Sequence, residues 1–345
     1  MTKPFLALVG TALLAAAPLV AQEAEPSVPG GSGPPLLGPD ASAAAEEAAP
    51  SEIDLTTLMI TAPWPRPLPL SDGRAGLSDR VAIEVEGTEV FGTLALPPDG
   101  PAPTVLLLHG FTGDRDELDI AGTGEGVFRR TARLLAEAGY ASLRIDFRGS
   151  GESTEGFAFA DTTFESQIAD AGAALDWLAQ DDRTAGPLYL IGWSQGGLVA
   201  ATLAGRGADI EAMALWAAVA DPQITFSTLF GAEVLAAGVM SETPTTVTLP
   251  WEAQVTLGQP FFEGIIEADP VGEMSSYDGP LFVAQGTNDA TVDPAQAEML
   301  LGAHEGREEL WLREMDHTFD AFEGPERLDE MVAATVAFFD MLGAP

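Results

Sequence analysis

The segment Gly192-Trp193-Ser194-Gln195-Gly196-Gly197 follows a run suited to a buried strand, residues 188–192, and opens a helical pattern over residues 195–204. A serine in a sharp strand-to-helix turn has its hydroxyl pushed out above a sheet, and flanking glycines let neighbouring backbone pass close. A hydroxyl is a poor nucleophile at neutral pH, so Ser194 needs a base. In the chain order nucleophile, acid, histidine that accompanies such a turn, the base lies C-terminal to Ser194. Of the three histidines, His109, His304 and His317, two satisfy this. His304 ends an apparent helix and reads as a surface residue. His317, in Met315-Asp316-His317-Thr318-Phe319, follows the strand-like run 309–312 and should stand at a strand's carboxyl end beside the nucleophile. It is the predicted base.

An acid must orient that imidazole and stabilise its positive charge. Gly286-Thr287-Asn288-Asp289-Ala290-Thr291-Val292-Asp293-Pro294 follows the strand-like run 281–285 and offers two carboxylates. Asp289 is nearer the strand end and is the predicted acid. Asp293, just before Pro294, reads as the cap of the next helix. A calcium loop is disfavoured because the oxygen-ligand spacing and the bidentate glutamate are missing. An anionic tetrahedral intermediate needs backbone donors aimed at its oxygen. The predicted donors are the amides of Gln195, at the start of its helix, and of Phe111, in His109-Gly110-Phe111-Thr112-Gly113. His109 itself reads as a residue that fixes this loop by hydrogen bonds.

The elements that must position these groups are legible as alternation. Two β-rich runs, 81–85 and 90–96, are separated by Glu-Gly-Thr-Glu and predict an antiparallel hairpin. Apolar strand-like runs (104–108, 141–146, 188–192, 213–217, 281–285, 309–312) then alternate with helical patterns (127–138, 164–178, 195–204, 294–303, 327–342). Such alternation predicts an α/β fold whose mostly parallel sheet is covered on both faces, with ligands beyond the carboxyl ends of its strands. One connection, about 222–278, is far longer than such a link requires and carries many large apolar residues. It predicts an inserted helical cap over the sheet. Trp251, Phe261 and Phe262 in the cap, with Trp193 beside the nucleophile, are the expected substrate contacts.

Taken together, His-Gly-Phe-Thr-Gly, Asp146-Phe147-Arg148-Gly149-Ser150-Gly151-Glu152-Ser153, Gly-Trp-Ser-Gln-Gly-Gly, Gly-Thr-Asn-Asp and Asp-His-Thr-Phe resemble the α/β-hydrolase superfamily. Within it they look most like the branch of cinnamoyl (feruloyl) esterases and prolyl-aminopeptidase-like hydrolases, over roughly residues 81–342. The resemblance implies a serine esterase with Ser194 as nucleophile, Asp289 as acid, His317 as base, and Phe111 and Gln195 as oxyanion donors, with no cofactor and no metal. It also implies a cap at 222–278 that shapes the substrate pocket. Trp193 departs from the family, where His is common before the nucleophile. The loop 146–153 matches a structural loop, which leaves Ser150 and Ser153 outside the site. Aryl or cinnamoyl/feruloyl esters are the expected substrates. An aminopeptidase-like amide hydrolase and a lysophospholipase- or acylglycerol-lipase-like esterase are the alternatives. A non-catalytic binding module is disfavoured because Ser, Asp and His are all present, and a dehalogenase because the residue at the turn is Ser rather than Asp.

Composition narrows the partners. The 345 residues, 46% of them apolar, suffice for a full core; 15 Lys and Arg against 53 Asp and Glu give a net charge of −38. Phosphate backbones need clustered cations, so nucleic acid is an improbable partner. With no cysteine, disulfides, thiolate catalysis and lipidation are excluded. Lys3 followed by the apolar stretch Phe5 to Ala21 has the layout of a secretory signal, short for a membrane span. The expected domains are therefore a signal at 1–21, a disordered acidic Pro/Ala-rich linker at 22–52, an extended arm at 53–76 broken by four prolines (Pro63, Pro65, Pro67, Pro69), and the catalytic domain at 77–345. A periplasmic or secreted product follows, with no stable membrane insertion after cleavage; oligomeric state is left open. An anionic surface of this kind predicts a protein suited to saline solvent and to neutral rather than anionic substrates.

Overall fold

The computed structural model describes residues 78–98 and 101–343. The expected signal (1–21), linker (22–52) and arm (53–76) lie outside the described residues. Strands β1 (Ser78–Val85) and β2 (Thr88–Ala95) alternate buried and exposed side chains and pair antiparallel. Their turn is only Glu86-Gly87, both at positive φ (52° and 85°), the conformation a two-residue hairpin requires. Thr88 and Glu89, expected in the connection, belong to β2.

Strands β3 (Ala102–Leu108), β4 (Ala141–Ile145), β5 (Thr184–Trp193) and β6 (Ala212–Trp216) form the centre of the sheet, interleaved with helices α1 (Val127–Glu137), α2 (Phe164–Leu178) and α3 (Gln195–Gly205). β3, β4 and β6 are buried along their whole length, as strands covered on both faces must be.

The chain next enters the cap: α4 (Pro222–Phe230), α5 (Ala232–Val239), β7 (Thr245–Thr248), β8 (Gln254–Leu257), α6 (Gln259–Glu267) and α7 (Pro270–Met274). The cap is mainly helical, as expected, and holds one β element besides. Thr-Thr-Val-Thr and Gln-Val-Thr-Leu are rich in β-branched residues and form a small antiparallel ribbon, with Thr246 and Thr256 hydroxyls 3.0 Å apart. The helices begin where chemistry dictates. Asp221 accepts the Ile224 N–H ahead of Pro222, and Asp269 accepts the Gly272 N–H ahead of Pro270.

After the cap come β9 (Leu281–Gly286), α8 (Ala295–Ala303), β10 (Glu308–Arg313) and α9 (Glu326–Asp340). The sheet order is β1-β2-β4-β3-β5-β6-β9-β10. β2 runs antiparallel to both neighbours, and all the other pairs are parallel. One apolar cluster joins the sheet to α1 and α9; the other joins it to α2, α3, α8 and the cap. Because β5, β9 and β10 run parallel, their carboxyl ends open on one edge, where the candidate residues follow them.

Candidate active site

Ser194 directly follows β5, at φ 55° and ψ −118°. A non-glycine residue with such backbone costs about 1–3 kcal/mol and persists only where its surroundings hold it. Here its N–H donates to the Trp216 carbonyl and its own carbonyl accepts the Val219 N–H, each at 3.0 Å. A Cβ on Gly196 would collide with the Leu108 carbonyl, and one on Gly197 with Ala218, so the turn needs both glycines.

His317, after β10, lies with Nε2 3.1 Å from the Ser194 Oγ and Nδ1 2.8 Å from an Asp289 oxygen. Asp289, after β9, is buried. One of its oxygens accepts the Thr291 and Val292 N–H groups at 2.9 Å each, and the other also accepts the Gln285 amide at 3.1 Å. With a carboxylate oxygen facing it, His317 Nδ1–H donates, which leaves Nε2 as the lone pair facing the serine hydroxyl. Asp293 accepts the Ala295 N–H at 2.9 Å but is not the cap of α8: Pro294 stands at that position, and Asp293 one residue before it.

The other two histidines are structural. His109 is buried, which lowers its pKa, and its Nε2 accepts the Phe147 N–H at 3.1 Å. Nδ1–H therefore donates to the Gly110 carbonyl, 2.8 Å away. His304 is not a surface residue. The chain leaves α8 extended at this position (φ −94°, ψ 136°), which turns the ring inward against Tyr277, with Nε2 2.8 Å from the Gly279 carbonyl.

Gln195 opens α3, and as the helix's first residue its amide has no intrahelical acceptor. Phe111 sits in a turn closed by the Gly113 N–H on the Gly110 carbonyl at 3.1 Å. Neither the Phe111 nor the Gln195 N–H is engaged by an acceptor among the described residues. The Gln195 side chain donates to the buried Gln167 amide oxygen.

A cavity of about 540 Å³ is lined by Ser194, His317 and Phe111. Of the expected substrate contacts, Trp193 and Trp251 line it, and Trp251 is 54% exposed. Phe261 and Phe262 do not: they are 1% and 0% exposed. α6 turns both rings into the cap, Phe261 stacking on Phe111 at 5.6 Å and meeting Phe164 and Phe226, and Phe262 meeting Phe230. The inward stripe of an amphipathic helix makes them core. Leu229 and Phe322, the latter on the histidine loop, line the cavity instead. A second cavity of about 470 Å³ shares Thr112, Gly113 and Asp114 with the first and is bordered by Ser150. Ser153 is buried, donating to the Asp146 carbonyl and accepting the Phe91 N–H, both at 2.8 Å.

Glu117 is another lining residue that motif reasoning missed; it carries no local signature beyond its place in an acidic loop. Burial, with Asp114 nearby, pushes its carboxyl up to about 8 despite the Gly110 N–H it accepts. A carboxyl raised on folding contributes stability that is intact below its unfolded value and lost as pH rises through the folded one. Glu117→Gln removes that titration. The variant is expected to gain on the wild type by about 3–4 kcal/mol between pH 5 and pH 8.5, read from urea unfolding at each pH.

A family profile described as the alpha/beta hydrolase fold matches residues 103–234. An uncharacterized protein of Rickettsia prowazekii (strain Madrid E) is 34% identical over 110 residues, which is 32% of this chain and 42% of that protein's length. The structure of Est1E from Butyrivibrio proteoclasticus with ferulic acid bound is 21% identical with a TM-score of 0.63, over 76% of this chain and 98% of that one. The esterase domain of a Rhodothermus marinus protein is 22% identical with a TM-score of 0.57, over 77% and 100%. Likeness at these identities is likeness of fold. With its mostly parallel eight-stranded sheet, its helices on both faces and the matched profile, the chain has the alpha/beta hydrolase fold.

Proposed function

We propose that this protein is a serine hydrolase that cleaves carboxylic esters through an acyl-enzyme. The observation that carries the reading is the hydrogen-bonded chain from Ser194 through His317 to Asp289 at the wall of a cavity. His317 Nε2 takes the hydroxyl proton as Ser194 Oγ bonds to the ester carbonyl carbon, and the carbonyl oxygen becomes an oxyanion facing the Phe111 and Gln195 amides. Asp289 stabilises the imidazolium. His317 returns the proton to the alkoxy oxygen as that bond breaks, the alcohol leaves, and a water activated by the same nitrogen releases the acid and frees Ser194.

The aromatic and aliphatic walls, Phe111, Trp193, Leu229, Trp251 and Phe322, suit an ester with an aromatic or medium apolar part. An aryl or cinnamoyl/feruloyl ester is the favoured class, a reading in keeping with the ferulic acid bound by Est1E. Asp114 in the same wall favours a second reading, an aminopeptidase-like amide hydrolase, since a carboxylate there suits a substrate's free amine. The protein is further proposed to be exported, the mature chain beginning near Gln22, which N-terminal sequencing of the secreted product checks.

A fluorophosphonate probe is expected to modify Ser194 alone, as read by peptide mass spectrometry. Feruloyl and aryl esters are expected to compete with it, and matched ester and amide pairs to favour the ester. Labelling elsewhere would remove Ser194 from the mechanism; faster turnover of α-amino amides would favour the second reading.

A further inference from the structure

We propose that Glu117 is the positioning residue of the oxyanion loop: its carboxyl holds the Gly110 N–H so that the next amide, that of Phe111, faces the substrate's carbonyl oxygen. The proposal rests on the reading of Ser194 as nucleophile.

A backbone donor can be aimed only by fixing the peptide plane that carries it. The Phe111 N–H shares its plane with the Gly110 carbonyl. That carbonyl accepts from His109 Nδ1–H at 2.8 Å and from the Gly113 N–H at 3.1 Å. The preceding plane carries the Gly110 N–H, which donates to Glu117 Oε1 at 2.7 Å. With both planes held, φ and ψ of Gly110 are set, and so is the direction of the Phe111 N–H.

Gly110 is also the spacer between carboxyl and nucleophile. A Cβ built on it would lie 3.4 Å from the Ser194 Cβ and 3.7 Å from Glu117 Oε1. The loop does not hold itself cheaply, since Thr112 and Glu117 sit at φ 64° and 61°, each such residue costing about 1–3 kcal/mol. Asp114 braces the return of the chain by accepting the Glu117 N–H at 3.1 Å. Glu117 lines the cavity with Ser194 and His317 but makes no hydrogen bond to either; its carboxyl bonds the Gly110 N–H.

Three variants test the proposal on p-nitrophenyl acetate. In Glu117→Ala the Gly110 N–H loses its acceptor, and kcat is expected to fall about 10- to 100-fold, part of what losing a whole oxyanion donor costs. KM should stay within about threefold. Glu117→Gln keeps an oxygen for Gly110 and is expected to stay within about threefold of wild-type kcat. Gly113→Ala leaves Glu117 intact, but its new Cβ would lie 2.5 Å from Glu117 Oε1 and must push the carboxyl aside. It should reproduce the Glu117→Ala loss. Should Glu117→Ala fail to fold, the other two variants still decide.

Hydrogen exchange at the Gly110 amide, followed by NMR, supplies a readout that does not depend on catalysis. The amide should be protected in the wild type and in Glu117→Gln and unprotected in Gly113→Ala and Glu117→Ala. Unchanged kcat in Glu117→Ala, a Gln variant as slow as the Ala variant, or an unprotected Gly110 amide in the wild type would each overturn the proposal. Failure of the nucleophile reading is separate: it appears as hydrolysis surviving in Ser194→Ala, with the exchange result still deciding what Glu117 holds.

Discussion

Ser194→Ala and His317→Ala are each expected to lower kcat on p-nitrophenyl acetate by on the order of 10⁶, and the double variant to lose no more than either one. The reason for non-additivity is geometric. The 3.1 Å contact between Oγ and Nε2 joins the proposed nucleophile and the proposed base, so removing one leaves the other with nothing to do. Asp289→Asn keeps the volume but offers an amide to His317 Nδ1, which favours the wrong tautomer; a loss on the order of 10⁴ is expected. Thermal unfolding should barely move in Ser194→Ala, because the elbow is held by backbone bonds to Trp216 and Val219 rather than by the hydroxyl. Single-turnover kinetics on purified, folded variants makes the comparison. Wild-type rates in Ser194→Ala would remove this serine from the mechanism.

Phe261→Ala is expected to destabilise the domain by about 3–5 kcal/mol, the usual consequence of emptying a buried aromatic site. The ring is 1% exposed and packs against Phe111, Phe164 and Phe226, with no solvent-facing space into which its neighbours could relax. All esters should then suffer alike, since the loss reaches the chemistry through Phe111. Trp251→Ala should behave in the opposite way. Its 54% exposure leaves little packing to lose, so stability should change by less than about 0.5 kcal/mol while KM shifts unevenly along a p-nitrophenyl ester series. Urea unfolding paired with that series separates the two roles. A selective change in Phe261→Ala without loss of stability would return it to the pocket.

The difference between these two residues shows where sequence stops being sufficient. A run such as Leu-Leu-Leu between turn signals can hardly be anything but a buried strand, and a serine bracketed by glycines at a strand end has few other uses; both follow from local rules. His317 and Asp289 were legible because each follows a strand of one parallel sheet, which sends them to a common edge. An aromatic in an inserted cap has no such constraint. Phe261 and Trp251 look alike in composition, and only the docking of α6 on the domain puts one inside and leaves the other at the mouth. The ribbon β7–β8 was missed for a related reason, its strands being four residues each and embedded in a segment whose length suggested helices. His304 was misplaced because the chain's exit from α8, not the helix pattern, turns its ring inward. Glu117 had no signature at all, since its partner is a backbone N–H seven residues back, brought near only by the loop's left-handed residues.

Phe111 lines the cavity and packs against Phe226, Phe230 and Phe261 of the cap. Its own amide is the proposed oxyanion donor. Cap and oxyanion loop are therefore mechanically one part: lifting the cap would pull on the residue whose N–H must stay aimed. That coupling favours entry past side chains at the rim, Trp251 and the 68% exposed Phe322, over a swinging lid. The same coupling bears on engineering. A foreign cap grafted between β6 and β9 would carry its own footing for residue 111, so exchanging the cap to change specificity would retune the catalytic step with it.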